Sequence, residues 1–321
     1  ITEALSISEG STVILDSSGA LNNMTVTGRI GGQLIINAPM DWPNDGMVVD
    51  GGLQINSTFD LTGDLVIYGH GENNAVMTVD GDFTLNGTFD INNVLNVTGD
   101  MSLISGSTIS HDEKENGFNL TVDQMLSITA GSKIDVSGKG LGPNDTYDPV
   151  TNQIVQTGST ASGGSYGGLG DLRGDDYGAS APTYGNARAP SHLGAGGRAG
   201  YYGGGAGGGK VKITAETISV LGDIIANGSQ GDDGGGCNNS YPGGGGGSGG
   251  SIWLTATTFS GSGLLSAGGA EGGSMNGAST SPCRGGGGGG GRIAVFTQTQ
   301  SHTGIIRSSG ADSGVDGTVW I

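Results

Sequence analysis

Apolar residues recur at every second position along much of the chain. Leu5, Ile7, Val13 and Leu15 alternate with polar residues, as do Leu53, Ile55, Phe59 and Leu61, and then Phe83, Leu85, Phe89 and Ile91. A period of two places each set on one face of a short strand. No stretch carries a sustained helical period, so the pattern predicts almost no helix. The strands repeat. Leu5-Ser6-Ile7-Ser8-Glu9-Gly10-Ser11-Thr12-Val13 matches the segments that begin at Met101 and Leu126, and Thr58-Phe59-Asp60-Leu61 returns 30 residues later as Thr88-Phe89-Asp90-Ile91. The unit is a strand, a Gly-Ser corner and a second strand. Glycine at the corner permits a positive φ.

From Ile213 onward the repeat is regular. Ile213-Thr214-Ala215 returns 41 residues later as Leu254-Thr255-Ala256, and Gly222, Gly263 and Gly304 keep the same step. Residues 120–138 are a more distant copy, and Thr318-Val319-Trp320-Ile321 echoes Ser251-Ile252-Trp253-Leu254. A strand–corner–strand unit that returns every 20–30 residues, and later every 41, predicts an all-β fold, a right-handed parallel β-helix or solenoid. The rival is an antiparallel sandwich, which calls for two-residue Asn-Gly hairpins. Asn86-Gly87 and Asn227-Gly228 fall inside the corner pattern instead.

Composition divides the chain. Of 70 glycines, 18 lie in residues 1–138 and 52 in residues 139–321, whereas the net charge is −15 in the first part and −3 in the second. The first part reads as acidic solenoid rungs. The second reads as the same solenoid with glycine-rich insertions at 139–209, 229–250 and 270–291. Insertions at equivalent points of a solenoid emerge side by side. They read either as flexible linkers or as a bundle of polyglycine-II-type helices on one face, with three residues per turn and backbone groups free to pair with neighbours. The overall charge of −18 argues against nucleic acid or an anionic membrane as partner. No apolar run is long enough for a transmembrane segment. The chain opens on Ile1 without a signal peptide, which reads as a processed chain or a fragment.

The series Lys133-Ile134-Asp135-Val136-Ser137-Gly138, a glycine-rich loop, and Gly208-Gly209-Lys210-Val211-Lys212-Ile213, with its later copies at Gly249 and Gly290, resembles glycine-rich microbial cell-surface proteins. The resemblance spans about residues 120–321. It implies a secreted or wall-attached surface role and carries no catalytic residue across.

Eight Asn-x-Ser/Thr sequons, at Asn23, Asn56, Asn86, Asn96, Asn119, Asn144, Asn227 and Asn238, suit an extracellular glycoprotein, although a chain this rich in Asn, Ser and Thr also produces them by chance. The two cysteines, Cys237 and Cys283, lie in consecutive insertions. Stacked loops would bring them together as a disulfide, the alternative being two free thiols, and no histidine accompanies either to suggest zinc. Seven tyrosines, Tyr147, Tyr166, Tyr177, Tyr184, Tyr201, Tyr202 and Tyr241, sit in the insertions, where they either pack between glycine helices or stack on sugar.

The tight acidic pairs are Asp80 with Asp82, Asp175 with Asp176, and Asp232 with Asp233. None is joined by the bases that a polysaccharide lyase or hydrolase requires. Asp80-Gly81-Asp82 is a candidate structural calcium turn or a solvated acidic turn. The functional expectation is a non-enzymatic extracellular structural protein, with no catalytic, cofactor or metal residues assigned, that assembles head to tail with itself into a filament or sheath. The alternatives are an adhesin that binds surface glycans through its loops and, last, a polysaccharide-degrading enzyme.

Overall fold

The computed structural model describes residues 7–17, 29–42, 46–114, 118–157, 161–172, 180–234, 243–274 and 284–321. These form strands, turns and extended segments, with no helix among them. Ten parallel strands make one sheet and fourteen make a second, the stacked sheets of a parallel β-solenoid. One rung runs through Gly52–Ile55, Phe59–Thr62 and Leu65–Ile67, and the next opens at His70–Asn73. Alternation does the sorting: Leu53, Ile55, Phe59, Leu61, Leu65 and Ile67 all point inward and are buried. A single apolar cluster runs from Ile7 to Val295 across the composition boundary at residue 138. Each such side chain contributes roughly 1.5–3 kcal/mol.

Successive early rungs are 18 residues apart, the separation between stacked Asn56 and Asn74 and between Asn74 and Asn92. This is shorter than the 20–30 residues expected from the sequence. The likeness 30 residues apart is also not a structural equivalence. Phe59 pairs with Met40 and Met77 in the fourteen-stranded sheet, whereas Phe89 lies in the ten-stranded one. Every face needs the same in–out alternation, so similar tetrapeptides arise on different faces. The copies beginning at Met101 and Leu126, by contrast, stack residue on residue: Met101 faces Leu126 and Thr108 faces Lys133. Their corner glycines, Gly106 and Gly131, have φ of 82° and 85°.

Side chains reinforce the stack at one corner. Asn37 donates to Asp16, Asn56 to Asn37, Asn74 to Asn56, and Asn92 to Asn74, with distances of 2.7, 2.8, 2.9 and 2.8 Å. An amide both donates and accepts, so it is the side chain that can continue such a ladder without an unpaired end. Aspartates serve a neighbouring corner: Asp64 and Asp82 accept from the backbone N–H of Asp82 and Asp100.

Two rows of short strands then fuse. Val94–Val97 and Met101–Leu103 both pair with the single strand Asn119–Ile128. That strand is followed by Lys210–Val220, Ser251–Gly261 and Arg292–His302. The last three are in register at 41 residues, the separation of Asn227 from Gly268.

The insertions are ordered and packed. Residues 243–250 form an extended arm whose amides obey a three-residue rule. Gly244, Gly247 and Gly250 donate to Asp232, Ser229 and Ala226; Gly245 and Ser248 to Arg198 and Ala195; Gly246 and Gly249 to Gly286 and Gly289. Its carbonyls accept from residues on further arms, Gly205 and Gly208, Ala270 and Gly273, and Gly164. One arm is therefore bonded to six neighbours, the geometry of packed polyglycine II, with three residues per turn and no internal hydrogen bonds. Glycine is required by this approach. A Cβ on Gly244, Gly247 or Gly250 would lie 1.9 Å from the carbonyl oxygen of Gly203, Ala206 or Gly209. Ser248 is the exception in the arm, and its buried hydroxyl accepts from Ala195 N–H at 2.8 Å. The first insertion also contains an antiparallel hairpin, Asp145–Tyr147 with Ile154–Gln156, that the sequence pattern did not indicate.

Gly247→Ala should lower unfolding free energy by roughly 1–3 kcal/mol or more through overpacking. Gly52→Ala, whose new Cβ would meet only the Gln33 side chain at 3.3 Å, should be near neutral. Chemical denaturation of both variants checks this. In a flexible linker Gly247→Ala would be neutral or stabilising.

Candidate functional site

The nominated tyrosines divide by burial. Tyr147, Tyr166 and Tyr184 form a second small core with Leu141, Leu193 and Ala195. Tyr166 and Tyr184 rings lie 4.7 Å apart. Tyr166 Oη pairs with Ser251 Oγ at 2.7 Å, and burial pushes its phenol up to about 12. Arg292 closes this core. It donates to the carbonyls of Tyr184 and Tyr166, and its guanidinium lies 5.2 Å from the Tyr166 ring centroid. These tyrosines fasten the first insertion to the solenoid. Tyr201 is exposed and meets Tyr202 edge to face at 5.4 Å. Tyr177, Tyr241, Cys237, Cys283, Asn23, Asn238, Asp175 and Asp176 lie outside the described residues, and with them the expected disulfide.

Several sequon asparagines carry structural bonds. Asn56 is a rung of the amide ladder. Asn144 Oδ1 accepts from Ala199 N–H, and Asn227 Oδ1 accepts from Gly268 N–H and Ser266 Oγ. Asn86 and Asn96 are half-buried on the solenoid. The acidic pairs are likewise engaged. Asp80 accepts from Thr98, Asp82 from Asp100 N–H, and Asp233 from Ser274. Among the described residues no group of three or more His, Cys, Asp or Glu side chains could hold a metal ion.

The structure assembles a site that the residue-by-residue reading did not single out. On the outer face of the fourteen-stranded sheet, stacking places Asn119, Lys212, Trp253, Ala294 and Trp320 in one column. Lys210 and Lys212 alternate outward around buried Val211. Residues 190–191 of the first insertion cross over this face. Together they enclose a pocket of about 280 Å³ lined by Lys210, Lys212, Trp253, Asn119 and Ser191, with apolar walls from Val94, Phe118 and Pro190.

Its electrostatics oppose those of the rest of the chain. Lys212 Nζ sits 5.0 Å from the Trp253 ring centroid, a cation–π contact that fixes the ammonium. Burial first, and then the charge of Lys212, hold Lys210 below the usual lysine range. Burial, Lys210 and Arg292 all lower His192 nearby. Arg188 lies over Trp320 at 3.9 Å. Cations therefore concentrate here in a protein with only 12 basic residues against 30 acidic ones. The signal available in sequence was the 41-residue step itself, which puts Lys212 and Trp253 in one column.

Behind the pocket, His111 is buried at the joint between the two kinds of rung. Its Nδ1 pairs with the Asp112 carbonyl at 2.6 Å, and its Nε2 accepts from Lys210 N–H at 3.2 Å. One nitrogen donates and the other accepts, so the ring is neutral. Burial lowers its pKa to about 4, and nearby Lys139 and Lys210 act in the same direction against the Asp112 carbonyl and carboxylate.

Compared with protein-family models, curated proteins and solved structures, the chain matches none.

A His pKa that falls on folding contributes stability that is complete above about 6.5 and is lost as pH falls toward about 4. The loss amounts to roughly 3 kcal/mol at most. Ring resonances of His111 should titrate with a midpoint near 4; a midpoint near 6.5 would contradict the assigned bonds.

Proposed function

We propose that the chain is a non-enzymatic structural protein of an extracellular surface that assembles head to tail into a filament or sheath. The observation that carries this reading is the pair of open parallel edges. Among the described residues, Arg292–His302 has a strand partner on its outer side only at Arg292, Ile293 and Ala294. The opposite end offers Thr12–Leu15 and Met40–Trp42, each paired on one side. Ile305, Val319 and Ile321 are exposed at the first of these ends. An open edge with apolar flanks is a template for another strand. Head-to-tail stacking is heterologous, so it propagates.

The chain contains its own precedent for such a joint. The split strands Val94–Val97 and Met101–Leu103 stack on the continuous strand Asn119–Ile128. A junction between two copies would stack a continuous strand on a split rung, the same match reversed. The sequons and the acidic surface support an extracellular setting. The adhesin reading is favoured separately by the cationic pocket, which opens on the side of the solenoid between these two ends.

Purified chain should form fibres by negative-stain imaging. The double variant Ile305→Lys/Ile321→Lys, at positions 62% and 54% exposed, should remain monomeric with an unchanged far-ultraviolet spectrum. Fibres that persist in this variant, or wild-type chain that stays monodisperse at high concentration, would overturn end-to-end assembly.

A further inference from the structure

We propose that the pocket between Lys212, Trp253 and Asn119 binds a single acidic sugar residue, a uronate or a similar carboxylated ring. The inference gives the adhesin reading a site and a ligand class, and it does not depend on head-to-tail assembly.

Three donors at this place lack a protein partner. Among the described residues Lys212 forms no ion pair and Asn119 makes no side-chain hydrogen bond. Trp253 Nε1 is buried with its N–H unpaired. A buried donor without a partner costs about 1–3 kcal/mol, and two ammonium groups on one strand repel each other. An anion that accepts hydrogen bonds relieves both penalties. The adjacent Ser191 hydroxyl adds a group able to donate or accept.

The walls distinguish between anions. Phe118, Val94, Pro190 and the indole of Trp253 present hydrocarbon beside the donors. Inorganic phosphate or sulfate would leave that surface bare. A pyranose ring covers it with C–H groups and directs its carboxylate and hydroxyls to Lys212, Asn119 and Ser191. Size sets the other limit. About 280 Å³ is at the small end of ligand pockets and accommodates one ring. The surrounding chain, with its net charge of −18, repels an extended polyanion. The fitting ligand is therefore an isolated acidic residue of a glycan, terminal or flanked by neutral sugars.

Asn119 heads one of the sequons, so a glycan attached there would occupy the same space. The binding assay consequently uses unglycosylated protein. Titration calorimetry of the full chain with methyl glucuronide and methyl galacturonide should show saturable binding of at least one. Methyl glucoside and inorganic phosphate should each bind roughly tenfold or more weakly, the value of one charge-assisted hydrogen bond. Lys212→Gln, a substitution on the outer face, should weaken uronide binding by a similar factor while leaving the unfolding midpoint and any fibres unchanged. The proposal is overturned if neither uronide binds, if glucoside or phosphate binds equally well, or if Lys212→Gln binds as the wild type does. Fibre formation read in the same samples separates failure of this site from failure of end-to-end assembly.

Discussion

Registry of the backbone from rung to rung is the constraint on which the rest of the molecule depends. Parallel stacking brings each corner directly over the one before it, and at several corners the approach leaves no room for a side chain. A Cβ on Gly263 would lie 1.7 Å from the Gly222 carbonyl oxygen, and one on Gly304 would lie 1.9 Å from that of Gly263. The same spacing continues outside the sheets. Because the solenoid launches each insertion from an equivalent point, the emerging arms start aligned, and glycine lets their amides and carbonyls meet. Glycine loses more conformational entropy on ordering than any other residue. Here that cost is offset by hydrogen bonds from successive amides of one arm to three different neighbours and by the anchorage of both arm ends in the sheet.

The long-period part of the fold was legible because a stack repeats its environment. Ile213, Leu254 and Val295 face one another in register, so each has to be apolar, and the interval between them can be read directly. The shorter rung was not legible. Its three faces demand one and the same alternation, and Phe59 and Phe89 look equivalent although they lie in different sheets. The fusion of two rows into Asn119–Ile128 was equally hidden. It depends on how Val94–Val97 and Met101–Leu103 align side by side, and no local residue choice announces that.

The candidate site was missed for a related reason. Lys210 and Lys212 read as ordinary outward residues of a strand, and Trp253 reads as one more aromatic. Their chemistry appears only when the register stacks Lys212 on Trp253 and the first insertion returns to close the pocket at Pro190 and Ser191. That return is secured by the buried Tyr166, Tyr184 and Arg292 cluster. The aromatic residues that looked like exposed recognition groups are thus partly interior, and they hold in place the segment that shapes the cationic pocket.

Order in the glycine-rich half is therefore the premise shared by the fold and the site, and amide hydrogen exchange measures it most directly. Residues 244–250 should exchange as slowly as the neighbouring strand Ser251–Gly261, since each of these amides has a backbone acceptor. Exchange of the 244–250 amides at rates close to those of an unfolded peptide would contradict the account.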